Sequence, residues 1–196
     1  MAKLSTLLLL LIIAAACDYN LSSIDVRQAY LQATLREDLY MHMPPGLPNQ
    51  DADGSPLIVK LRKSLYGLRQ AGREWAELLS AFLVKWGFFR SAIDVCLYTF
   101  AHQSHFLWVL VWVDDCVIVD NDSSLRSSFV KDLNSAFPVD DKGDLHWVLQ
   151  VKVVRNREIK ALTLSQELYV CDLVHRFSHL IDGNTKRFES PCVIQH

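Results

Sequence analysis

The sequence predicts an α+β fold, and three observations carry that prediction. Strand-like and helix-like stretches are mixed without the regular alternation of a parallel sheet. The clearest strand signals are two β-branched and aromatic runs that meet around a two-residue break. The chain has 196 residues, 51% hydrophobic and 21% charged, with no linker, internal repeat or low-complexity segment. That is enough for one domain with a real core.

Met1 to Cys17 reads MAKLSTLLLLLIIAAAC and has two readings. Leu and Ala are strong helix formers and Ser5 is a natural N-cap, so one reading is a buried helix. A lysine, a short apolar run and small residues before Cys17 also describe a secretory signal, even a lipoprotein site. The run is too short to span a bilayer. Residues 20–27 (NLSSIDVR) end as a short strand. AYLQATLRE then reads as a turn or short helix, and DLYMHM alternates as a strand. Pro44, Pro45, Gly46, Pro48, Gly54 and Pro56 mark a loop. LIVKL (57–61) is a short strand. From Gln70 to Trp86 a helix places Trp75, Leu78, Leu79, Phe82 and Leu83 on one apolar face. CLYTF (96–100) is another strand.

FLWVLVWV (106–113) and CVIV (116–119) follow, separated only by Asp114 and Asp115. This is the pattern of a hairpin with the two aspartates as its turn. SSLRSSFVKDLNSAF (123–137) is an amphipathic helix with Leu125, Phe129, Leu133 and Phe137 on one stripe. LHWVLQVKVV (145–154) reads as one strand, and LTLS leads into a helix from about Gln166 to Phe177.

Net charge is −2, so the whole chain carries no electrostatic sign of nucleic-acid binding. A local patch would have to supply it. Lys60, Arg62, Lys63, Arg69 and Arg73 have no acid between them. They form either a phosphate track or one solvated face. The five cysteines, Cys17, Cys96, Cys116, Cys171 and Cys192, are odd in number and contain no C-x-x-C. A disulfide framework and a zinc knuckle are both disfavoured, and a reducing intracellular compartment fits better. Cys171, His175 and His179 fall at helical spacing, for which surface or core residues are the plainer reading than zinc ligands.

Two adjacent aspartates at the end of an apolar hairpin are chemically odd. Asp is poor in strands, like charges repel, and a bland turn prefers Asn-Gly or Asp-Gly. The pair points to a compensating cation, Mg²⁺ by preference, which is hard and takes oxygen ligands. Asp25, at the end of its own apolar strand, is the best candidate for a third carboxylate. Three such groups can hold two ions for phosphoryl chemistry. A solvated turn remains the plain alternative.

The blocks SSIDVRQAYLQATLREDLYMHMPPG, VKLRKSLYGLRQAGREW, LVWVDDCVIVDN, GDLHWVLQVKV and LTLSQELYVCDLVHRF resemble, in order and spacing, the reverse transcriptases of copia-type retrotransposons. The resemblance runs from about Ser5 to Pro191, and SLYGLRQA is its most specific block. It implies a single partial domain over 1–196. Residues 1–19 would be an apolar helix before the first catalytic strand, and 20–191 a palm-like core. The fold would be a palm-like antiparallel sheet with packed helices, incomplete fingers and no thumb. Asp25, Asp114 and Asp115 would be catalytic and would bind Mg²⁺ or Mn²⁺. Tyr30, Tyr66, Gly67, Gln70 and Arg69 would contact substrate, Tyr30 beneath the incoming sugar. Partners would be an RNA or DNA template-primer, deoxynucleotides and the rest of a Pol polyprotein, with no membrane. The activity implied is RNA-directed DNA polymerisation within a larger protein. The alternatives are an inactive remnant, or a secreted or lipid-anchored protein if residues 1–17 act as a signal.

Four positions depart from the family's habit. Trp112 stands for the usual tyrosine, Gly72 for a proline, Gln150 for a glycine and Ala33 for another glycine.

Overall fold

The computed structural model describes residues 1–178, so His179 and Cys192 lie outside it. Its elements run α1 (Leu4–Cys17), β1 (Asn20–Val26), α2 (Ala29–Gln32), β2 (Thr34–His42), β3 (Ile58–Lys63) and α3 (Ala71–Trp86). They continue with β4 (Phe89–Arg90), β5 (Leu97–His102), β6 (His105–Trp112), β7 (Asp115–Asp120), α4 (Ser123–Ala136) and β8 (Val139–Asp144). The last are β9 (Trp147–Val148), β10 (Val151–Asn156), β11 (Ala161–Ser165) and α5 (Glu167–Arg176). The chain divides into two compact units, Met1–Leu145 with Arg155–Leu162, and His146–Val154 with the described residues from Thr163 onward.

In the first unit six strands form one sheet in the order β4-β5-β6-β7-β1-β8. All five pairings are antiparallel. β2 and β3 make a separate antiparallel pair. The early strand β1 therefore lies between two late ones. Its alternation explains why. Ile24 and Val26 join Val109, Cys116 and Ile118 in a core with Trp75, Leu79 and Leu83 of α3 and Phe129, Val130 and Leu133 of α4. Leu21, Leu110, Val117 and Val119 are buried as well, outside that cluster. A strand buried on both sides belongs in the middle of a sheet. α3 ends at Gly87, whose φ of +115° is the left-handed cap that lets its N–H reach Leu83 O and Val84 O.

α1 packs through Leu7, Leu10, Leu11, Ala14 and Ala15. Ser5 is not its cap. Lys3 holds the N-cap position, and the partner comes from far along the chain. The buried Asp94 carboxylate accepts from Lys3 N at 2.9 Å and Thr6 Oγ1 at 2.7 Å. Burial alone would raise the Asp94 carboxyl, but bonds from Lys3, Thr6 and Cys96 outweigh it and hold it below the usual range. At the other end Arg155 donates to Ala14 O at 2.9 Å and Tyr19 O at 2.5 Å, tying the end of α1 and the link that follows it to β10. Among the described residues no helix is long and apolar enough to cross a membrane.

Two readings need correction and one strand was missed. AYLQATLRE is helical only over Ala29–Gln32 and is already strand β2 from Thr34. LHWVLQVKVV is not one strand. In the second unit Val148 pairs with Val151 and Trp147 with Lys152, so the chain folds back at Leu149–Gln150. The residues of that turn have φ of 48° and 64° and include no glycine to mark it. β8 gave no strand signal because VDDKGD has poor β propensity, and its pairing with β1 overrides that.

Candidate active site

The site forms where β1 ends beside the β6–β7 tip. Trp112 pairs with Asp115, so the two-residue turn is Val113–Asp114 rather than Asp114–Asp115. The one-residue difference matters, because each residue along a strand faces the opposite side. Asp115 becomes the first residue of β7 and lies directly opposite Asp25. Opposed residues of an antiparallel pair share a face, with Cβ atoms roughly 5 Å apart. Val26 N donates to Asp114 O at 2.8 Å, which ties the tip to the end of β1. Val113 carries a φ of 48°, a conformation β-branched residues rarely adopt.

Like charges facing each other across a sheet are unfavourable. The Asp115 carboxyl shows it. Partial burial, then the charges of Asp114 and Asp25, push it above the usual carboxylate range, and Lys142 offsets part of this. Burial pushes the Cys116 thiol far up, and Asp115, Asp114 and Asp25 add to it.

Asp140, which sequence reasoning missed, stands opposite Asp25 on its other flank. Asp115, Asp25 and Asp140 thus form a row across three strands. Arg27 donates to Asp140 through Nε at 2.9 Å and through a second, shorter contact. That bond holds the Asp140 carboxyl below its usual range. No local signal could have found Asp140, since only the β1–β8 register brings it there.

The tyrosines converge on the same place. Tyr30 and Tyr66 have ring centroids 4.7 Å apart. The Tyr66 phenol is raised by burial, then by Asp114, Tyr30 and Asp25. Gly67 has a φ of +95° and open space around a would-be Cβ, so it serves the turn and leaves the surface clear. Gln70 is drawn elsewhere: its Nε2 donates to Glu37 Oε2 at 3.1 Å. Arg69 is exposed. The cationic run is partly spoken for. Lys60 pairs with Asp38 at 2.6 Å and Arg73 with Glu74 at 3.6 Å.

Asp25, Asp114 and Asp115 offer only oxygen donors and carry excess negative charge. That chemistry fits a hard divalent ion, which is usually held by one or two carboxylates and keeps room for water and phosphates. Among the described residues no three His, Cys, Asp or Glu side chains are gathered as a ready-made metal cage. Cys17, Cys96, Cys116 and Cys171 are free thiols.

A family model described as Reverse transcriptase (RNA-dependent DNA polymerase) matches residues 1–191. The chain belongs to this family. Among curated relatives it is 34% identical over 178 residues to the Retrovirus-related Pol polyprotein from transposon TNT 1-94 of Nicotiana tabacum. It is 35% identical over 174 residues to that from transposon RE1 of Arabidopsis thaliana, and 34% over 178 residues to that from transposon RE2. These alignments cover 89–91% of the chain but only 12–13% of the relatives' length. No solved structure matches. Against the copia-type reverse transcriptase pattern, Trp112 is buried beside the tip and Ala33 fills a buried site with an ordinary φ of −79°. Gly72 leaves ordinary room, with Tyr30 Oη 3.8 Å from a would-be Cβ. Gln150 sits in the left-handed region where the family's glycine would be at ease.

Proposed function

We propose that the chain is a palm-like reverse transcriptase domain performing RNA-directed DNA polymerisation as part of a larger Pol polyprotein. The observation that carries this reading is the register setting Asp25 opposite Asp115, with Asp114 bonded to the end of β1. Asp25 and Asp114 are the main ligands for Mg²⁺ or Mn²⁺, and Asp115 is the weaker member. The bound ions supply the charge that activates an attacking hydroxyl and neutralises the leaving phosphates. The chain's own residues bind and orient. The half-buried Tyr30, backed by Tyr66, gives the incoming sugar a floor that disfavours a 2′-hydroxyl. Gly67 leaves its backbone open to nucleotide and template, and the exposed Arg69 supplies a phosphate contact. Gln70 lies beside this surface, tied to Glu37.

A second reading is a remnant that keeps the fold without catalysis. The ion pairs that occupy Lys60 and Arg73, and the residues at 112 and 150, favour it. Primer extension with Mg²⁺ or Mn²⁺, comparing the chain with Asp114→Asn, separates the two. Extension that disappears in the variant supports the polymerase. No extension from either protein, when supplied with the remaining polyprotein segments, supports the remnant.

A further inference from the structure

We propose that Trp75 is a positioning residue for the carboxylate tip, its indole N–H fixing the Val113 carbonyl and through it the backbone of Asp114. The consequence for metal binding rests on the polymerase reading above. The fixing of the turn does not.

Trp75 lies on the apolar face of α3 and is 1% exposed. Its ring stacks edge-on against Phe137, with centroids 5.3 Å apart. Its Nε1 donates to Val113 O at 2.5 Å. A buried indole needs a partner, and this one takes the carbonyl of the residue in the left-handed conformation. A carbonyl reports the plane of the peptide that follows it. Val113 O therefore fixes the plane between residues 113 and 114. Asp114 O, held by Val26 N at 2.8 Å, fixes the plane between 114 and 115. Asp114 sits between two pinned planes, one held from α3 and one from β1, so its φ and ψ have little freedom. Without the first bond, Val113 would be left with an unpartnered carbonyl in a disfavoured conformation, and the turn would gain by opening. The direction in which Asp114 and Asp115 present their carboxylates would loosen with it.

The test compares Trp75→Phe with Phe137→Leu in the full chain. Phe137→Leu disturbs the same packing but keeps the indole bond. Hydrogen exchange of a peptide covering 111–116 is read against peptides from β5, together with Mn²⁺ affinity by electron paramagnetic resonance. Loss of the bond in Trp75→Phe speeds tip exchange about tenfold relative to β5 and weakens Mn²⁺ binding severalfold. Phe137→Leu lowers stability without either selective effect. Tip exchange that rises in Trp75→Phe only in step with the whole sheet overturns the proposal. Should Trp75→Phe not fold, the wild-type chain labelled with ¹⁵N at indole nitrogen decides. The Trp75 indole nitrogen then shows a coupling through the hydrogen bond to a ¹³C-labelled Val113 carbonyl, and absence of that coupling overturns the proposal. Mn²⁺ binding that ignores Asp25→Asn removes the polymerase reading alone, since the exchange result still shows whether Trp75 holds the turn.

Discussion

Two hairpin tips in this chain break the same rule in different settings. Val113–Asp114 joins β6 to β7, and Leu149–Gln150 joins β9 to β10. Both place non-glycine residues at positive φ, one in the first tip and two in the second. The first is tied down: Trp75 holds one carbonyl, Val26 holds the next, and Val113 packs on the core. The second has Trp147 and Leu149 half-exposed around it. Strain at a tip persists when its surroundings over-determine it. At the first tip the surroundings do so, and the strained residue adjoins the carboxylates. At the second the same backbone conformation has far less packing to support it.

The largest test of that contrast replaces one tryptophan at a time. Trp75→Ala removes a fully buried ring and the bond to Val113, and destabilises by about 3–5 kcal/mol. Trp147→Ala removes a half-exposed ring and changes stability by about 1 kcal/mol or less. Urea midpoints measure both. Equal losses would show that the second tip is anchored as firmly as the first.

A smaller effect sharpens it. Gln150→Gly gives the second tip the residue its conformation prefers, and raises stability by about 0.5–1 kcal/mol. Val113→Gly relieves comparable strain but strips a side chain packed on the core, so it gives no net gain. Thermal melts of the two variants check the difference. A clear gain from Val113→Gly would mean that its packing counts for little.

What could be read ahead of the structure follows the same division. The runs on either side of Asp114 and Asp115, and the apolar face of α3, were legible because burial imposes their periodicity. Asp25 was legible as a third carboxylate from its place at the end of an apolar strand and from the family resemblance, but its position opposite Asp115 was not, since sequence distance says nothing of register. The turn was read one residue too late because the two charges, rather than Val113, looked like the break. β8 and Asp140 were invisible, as a VDD stretch becomes a strand only through its neighbour β1. The β9–β10 turn was hidden because Leu149 and Gln150 continue an apolar–polar alternation straight through it.

The smallest effect concerns charge, which burdens the first tip. Asp115 titrates above its ordinary value because of burial, Asp114 and Asp25, so the folded chain binds its proton more tightly than the unfolded one. Below the unfolded carboxyl's range both states are protonated and the repulsion is absent. As pH rises through that range to the raised folded value, the folded state alone holds the proton and stability falls with pH. Above it the penalty is complete. Asp115→Asn removes that penalty, so it is more stable than the parent at pH 7, and the advantage shrinks as pH is lowered toward 4. Millimolar Mg²⁺ narrows the gap at pH 7 as well, because a cation held by the wild-type carboxylates relieves the same repulsion. Urea denaturation across this pH series, with and without Mg²⁺, reads both effects. An advantage that stays constant with pH would place its origin in packing rather than charge, and one indifferent to Mg²⁺ would deny the tip its cation.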